Sequence, residues 1–119
     1  MIDDDEDDQE IFLTAMKELP IKAFCAAESR AEIALGKLRS RQITADLIFL
    51  DLNMPIMNGQ EFLREIKKNE ELKQIPVIVF STSSHSDTIR ETKELGAQDF
   101  ITKPEKFDRL VTILQSIIV

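Results

Sequence analysis

Cysteine and histidine occur once each in this chain, and there are only three glycines and four prolines among its 119 residues. A lone thiol, Cys25, excludes an internal disulfide, and with His85 as the only imidazole no Cys/His set can enclose zinc. A reducing, cytoplasmic setting is the expectation. The shortage of Gly and Pro, set beside 43% hydrophobic residues, argues for one packed domain over residues 1–119 rather than a disordered segment. No apolar run approaches the roughly 18 residues that a membrane-spanning helix needs, and the start of the chain is acidic rather than basic then apolar. Positive charge is also scarce. A net charge of −7 repels phosphate backbones and anionic lipid headgroups, so neither nucleic acid nor membrane is expected as a direct partner. Small cations and basic protein surfaces suit it better.

What is abundant is acid, above all the six consecutive acids Asp3 to Asp8. A calcium loop does not explain them: in neither register starting at Asp3 or Asp4 does glycine fall at position 6 or glutamate at position 12. The rest of the chain alternates strand and helix signals. Ile11, Phe12, Ala15, Met16 and Leu19 share a helical face over 8–19, which Pro20 stops. A strand is predicted at 21–27, and Ser29 with Glu32 forms a capping box for a second helix. The apolar runs 46–52 and 75–81 suit strands buried on both faces. Asn58 is placed to cap the helix between them, Ser84 and Asp87 to start a polar helix that Gly96 ends. A short strand near 97–104 and an apolar-faced closing helix complete the pattern.

Such alternation without hairpin signals predicts a doubly wound parallel sheet covered by helices on both faces. Polar residues end the strands at positions 4, 51, 81 and 103, and would all project from the carboxyl edge. Ligands bind outside that edge where strand order reverses, which in a five-strand 2-1-3-4-5 sheet sets Asp4 opposite Asp51. Carboxylates gathered there repel one another unless a hard divalent cation such as Mg²⁺ neutralises them. Asp51 could then act as a nucleophile toward a phosphoryl group, with Ser81 and Lys103 serving its oxygens.

Four pieces carry a family resemblance: the pair Asp3 and Asp4, "LDLNMPIMNG" around Asp51, "PVIVFST" around Ser81, and "LGAQDFITKP" ending at Lys103 and Pro104. In this order they resemble the receiver domain of two-component response regulators, of the stand-alone type, with a flavodoxin-like (βα)5 fold. The resemblance implies that Asp51 accepts a phosphoryl group from a sensor histidine kinase or a histidine phosphotransfer protein. It implies Mg²⁺ held by Asp4, Asp51 and the backbone carbonyl of Asn53, with Asp3 acting through water. Lys103 would pair with Asp51 and then with the phosphoryl oxygens, Ser81 would swing toward them, and Phe100 would turn inward as the aromatic switch. The bond before Pro104 would be cis, and the signal would pass to a downstream protein by contact or by phosphorelay.

Three departures stand out. Only Met1 and Ile2 precede the acids, so the first strand is truncated; Thr82 replaces a smaller residue; and Phe100 replaces the commoner tyrosine. An alternative reading, a metal-dependent phosphohydrolase with an aspartate nucleophile, asks for a general acid two residues beyond Asp51. Asn53 stands there and cannot supply a carboxylic proton.

Overall fold

The computed structural model describes residues 1–83 and 85–118. Three parallel strands, β1 (Ile48–Leu50), β2 (Val77–Ser81) and β3 (Asp99–Thr102), pair in the order β1-β2-β3. Around them lie α1 (Glu6–Lys17), α2 (Ala31–Arg39), α3 (Gly59–Lys68), α4 (Ser86–Glu94) and α5 (Phe107–Ile118).

The period-2 alternation of strand side chains sorts the core into two layers. Ile48, Leu50, Val77 and Val79 point to one face and pack with Ala31, Leu35 and Leu38 of α2 and Phe62, Leu63 and Ile66 of α3. Phe49, Ile78 and Phe80 point to the other and meet Phe12, Ala15 and Met16 of α1 and Leu110 and Leu114 of α5. In that second layer Phe12, Phe49 and Phe80 form an edge-to-face trio, with centroids 4.9, 5.9 and 6.5 Å apart. Both faces of the sheet are therefore covered, which is why β1 and β2 read as continuous apolar runs.

The doubly wound parallel architecture is as the sequence predicts, but among the described residues three strands are formed rather than five. Ile2 makes single parallel bridges to Leu50 and to Glu28. Its N–H donates to Phe49 O at 2.8 Å, and its own carbonyl accepts from Asp51 N at 2.9 Å. Asp3 N donates to Glu28 O at 3.0 Å, and Glu28 N to Met1 O at 2.9 Å. The ladder is one residue long on each side. Segment 21–27 is not a strand: Ala26 O accepts from the Met1 ammonium at 2.8 Å, but no ladder forms there, and Phe24 is 98% exposed.

Helix starts also refine the expectations. Asp5 caps α1, accepting from the N–H groups of Asp7 at 2.9 Å and Asp8 at 3.1 Å, so that helix begins two residues before the predicted start. Asn58 and Glu61 form the capping box expected at α3. The box at Ser29 does not form. α2 starts after Arg30 without a side-chain cap, because Ser29 lies one position too early and its Oγ accepts instead from Gln9 Nε2 at 3.1 Å. The predicted cap at Ser84 lies outside the described residues. Gly96 follows α4 at φ +108°, in the left-handed region where a helix end favours glycine.

Candidate functional site

Asp51 follows β1 directly and is fixed through its backbone, whose N–H bonds to Ile2. The loop beyond it is pinned by Gly59 N donating to Leu52 O at 3.0 Å. That approach is close enough that a Cβ on Gly59 would lie 2.5 Å from the Asp51 carbonyl oxygen and 2.8 Å from Leu52 Cα. Glycine is required there by the space available rather than by backbone conformation.

One carboxylate oxygen each from Asp3, Asp4 and Asp51 fall within 4.8 Å of one another. Asp3 and Asp51 are buried and Asp4 is exposed, so the cluster opens to solvent on one side. Asp3 is the most constrained of the three: Oδ1 accepts from Asp5 N at 3.0 Å and Oδ2 from Lys103 Nζ at 2.8 Å. An all-oxygen donor set of this kind fits a hard divalent cation and offers neither imidazole nor thiolate to a softer metal. Bound there, such a cation would supply charge neutralisation to oxygens brought against Asp51.

Lys103 follows β3 and carries the site's ammonium. Its Nζ lies 2.8 Å from Asp3 Oδ2, 2.8 Å from Asp8 Oδ2 and 3.6 Å from Asp51 Oδ1. It also stands 5.9 Å above the Phe80 ring. Burial alone would lower its pKa, but hydrogen bonds to Asp3 and Asp8 and the nearby charges of Asp51 and Asp3 outweigh that and hold it above the ordinary lysine value. Burial pushes the Asp51 carboxyl up to about 6; Lys103 and a backbone hydrogen bond at Leu52 oppose the rise, while Asp3 and Asp4 add to it. Lys103, 3.6 Å away and without a hydrogen bond to Asp51, offsets the burial only in part.

The sequence-predicted residues are thus partly gathered. Asp3, Asp4, Asp51 and Lys103 meet. Ser81, fully buried at the end of β2, accepts from Ser83 N at 3.3 Å through its Oγ. Asn53 is exposed in the loop after Asp51. Phe100, half-buried on β3, packs against the core layer formed by α2 and α3. No peptide bond among the described residues is cis, so the bond before Pro104 is trans, contrary to the expectation from the resemblance. Trans is the lower-energy isomer even before proline. Asp8 is a first-turn acid of α1, and its ion pair to Lys103, 95 positions away, leaves no mark in local sequence.

Comparison with known proteins agrees with this arrangement. Residues 1–115 match the family described as the response regulator receiver domain. Protein PilH of Pseudomonas aeruginosa is 30% identical over 118 residues, covering 99% of this chain and 95% of PilH. Response regulator Rcp1 of Synechocystis sp. is 42% identical over 72 residues, covering 60% of this chain and 49% of Rcp1. Several of the curated relatives are longer, the match spanning 18% of a methylesterase/glutaminase of Treponema denticola. Among solved structures, the Mn²⁺-bound form of Rcp1 superposes with a TM-score of 0.86 at 30% identity, covering 98% of this chain and 87% of that one. The phosphorylated cyanobacterial phytochrome response regulator RcpA superposes at 0.88 and 31%, covering 98% and 86%. Because the matched residues run through the edge acids, Asp51 and Lys103, the chain belongs to the response regulator receiver domains, a family that acts in phosphorylation-dependent signalling.

Proposed function

We propose that this chain is a signalling switch that accepts a phosphoryl group on Asp51 from a phosphohistidine of a sensor histidine kinase or histidine phosphotransfer protein. The observation that carries the reading is the position of Asp51: buried at the end of β1, between the Asp3 and Asp4 carboxylates and the Lys103 ammonium at 3.6 Å. An Asp51 carboxylate oxygen attacks phosphorus, the phosphorus–nitrogen bond breaks, and the imidazole nitrogen leaves with the bonding pair. The product on this chain is an acyl phosphate.

Mg²⁺ is the proposed cation, with Asp4, Asp51 and the Asn53 carbonyl as its holders and Asp3 acting through water. Both Asp3 oxygens already accept protein hydrogen bonds, which supports the indirect role. Lys103 stabilises the charge that gathers on the transferred oxygens. Ser81 Oγ leaves Ser83 N for those oxygens, and Phe100 turns inward, altering the surface of β3, α4 and α5 that a downstream protein reads. The proposal includes a cytoplasmic setting, matching the lone reduced thiol. A phosphohydrolase is the weaker reading, since Asn53 cannot supply the general acid.

Incubation with Mg²⁺ and a small acyl phosphate, followed by intact mass measurement, tests the proposal. A hydroxylamine-labile phosphoryl adduct is expected on the wild type and not on Asp51→Asn. An unmodified wild type, under conditions that phosphorylate RcpA, would overturn it.

A further inference from the structure

Lys103 has three N–H donors. Two are used at 2.8 Å, on Asp3 Oδ2 and Asp8 Oδ2, and the Asp51 oxygen lies beyond hydrogen-bond reach at 3.6 Å. The two anchors come from different elements and both are fixed. Asp3 is fully buried, bonded through its N–H to Glu28 and through Oδ1 to Asp5 N. Asp8 sits in the first turn of α1, its N–H held by the capping side chain of Asp5. Asp8 is not among the three carboxylates that can share a cation, and its side chain is about one-third exposed. It touches the site only through Lys103.

Three carboxylates, those of Asp3, Asp8 and Asp51, lie within 3.6 Å of this one ammonium, two of them shared with Asp4 in the cation cluster, and the placement of that charge decides which carboxylates stay open to a cation. With Asp8 gone, the ammonium keeps one hydrogen-bonded anchor, Asp3, and the charge of Asp51 at 3.6 Å draws it across the remaining gap. Lys103 would then bridge Asp3 and Asp51, two of the three acids of the cation cluster. We propose that Asp8 is a positioning residue: it draws the Lys103 ammonium toward α1 and so keeps the Asp51 carboxylate open to the metal and to the incoming phosphoryl group. This rests on the proposed role of Asp51 and adds a residue to it.

Loss of a negative charge near a cation site weakens binding through space whatever Lys103 does, so the test must separate the two routes. Mn²⁺ alone is titrated by calorimetry into wild type, Asp8→Asn, Lys103→Met and the double variant. Asp8→Asn is expected to weaken Mn²⁺ binding about five-fold when Lys103 is present and less than about two-fold in the Lys103→Met background. Equal weakening in both backgrounds, or none in either, would overturn the positioning role.

A second measurement needs no metal: the ¹⁵N and ¹H signals of the Lys103 ammonium in the metal-free protein. Asp51→Asn, which removes a charge 3.6 Å away, should shift them less in the wild type than in the Asp8→Asn background, where Lys103 has closed onto Asp51. An equal shift in both backgrounds, or none in either, would overturn the proposal. If the wild type binds no Mn²⁺, the metal reading fails, while the ammonium signals still decide whether Asp8 holds Lys103 off Asp51.

Discussion

Asp51 carries a stability signature that follows from its surroundings. Its folded carboxyl titrates near 6 against an ordinary 3.8, raised first by burial. A raised acid favours the neutral form in the fold, so ionisation opposes folding. The unfavourable contribution is absent below about pH 4, grows as pH rises through about 6, and is complete above it. In metal-free protein, Asp51→Asn should therefore be more stable than wild type at pH 7.5 by roughly 1 to 3 kcal/mol, and nearly equal to it at pH 4. Urea unfolding at the two pH values measures the difference, and a variant less stable than wild type at pH 7.5 would contradict the assigned direction. The site was legible at this scale where a residue ends a strand: Asp51 and Ser81 could be placed because apolar runs stop at them, and Asp4 and Lys103 by their spacing from those two. Asp5 and Asp8 could not be separated from their neighbours. In a run of six acids the sequence offers no contrast, and only the direction of each side chain makes Asp5 a cap and Asp8 a lysine anchor.

Two helices show how the same residue type takes opposite roles. Gly36 lies exposed in α2, where an added Cβ would meet nothing within 4 Å, and its φ is not in the left-handed region. Gly36→Ala should stabilise the protein by about 0.5 to 1 kcal/mol through helix propensity and reduced freedom of the unfolded chain. Gly59, first residue of α3, is pressed against the Asp51–Leu52 backbone, with the added Cβ at 2.5 Å. Gly59→Ala must push that loop aside, costing about 1 to 3 kcal/mol, and should also slow acyl phosphate labelling of Asp51. Thermal melts of both variants, with labelling rates for the second, check the pair; a stabilised Gly59→Ala would refute the close approach.

The elements themselves were legible in proportion to their burial. β1 and β2 announce themselves because both faces are covered. The stretch at 21–27 has strand-like residues too, but composition cannot supply a partner, and the ladder that would hold it is one residue long. The box at Ser29 failed for a related reason: a motif shifted by one residue from the true helix start caps nothing.

For the whole molecule, the dominant quantity is a net charge of −7, with three carboxylates of one cluster within 4.8 Å. Folding brings those charges together; the unfolded chain holds Asp51 forty-seven residues from Asp4. A divalent cation that prefers the assembled cluster must therefore stabilise the fold by mass action. At free Mg²⁺ about a hundred times its dissociation constant the gain is about 2.7 kcal/mol, corresponding to a rise in Tm of roughly 10 °C for a domain of this size. General screening of a chain at −7 would also raise Tm, but sodium chloride at matched ionic strength reproduces that part alone. The increment specific to Mg²⁺ should vanish in Asp51→Asn and shrink in Asp4→Asn, while Asp87→Asn, an exposed acid on α4 away from the cluster, should retain it. Melting curves of the four proteins in Mg²⁺ and in matched salt measure this. An equal Mg²⁺ increment in all four would move the cation away from Asp51, and with it the link between metal binding and phosphoryl acceptance.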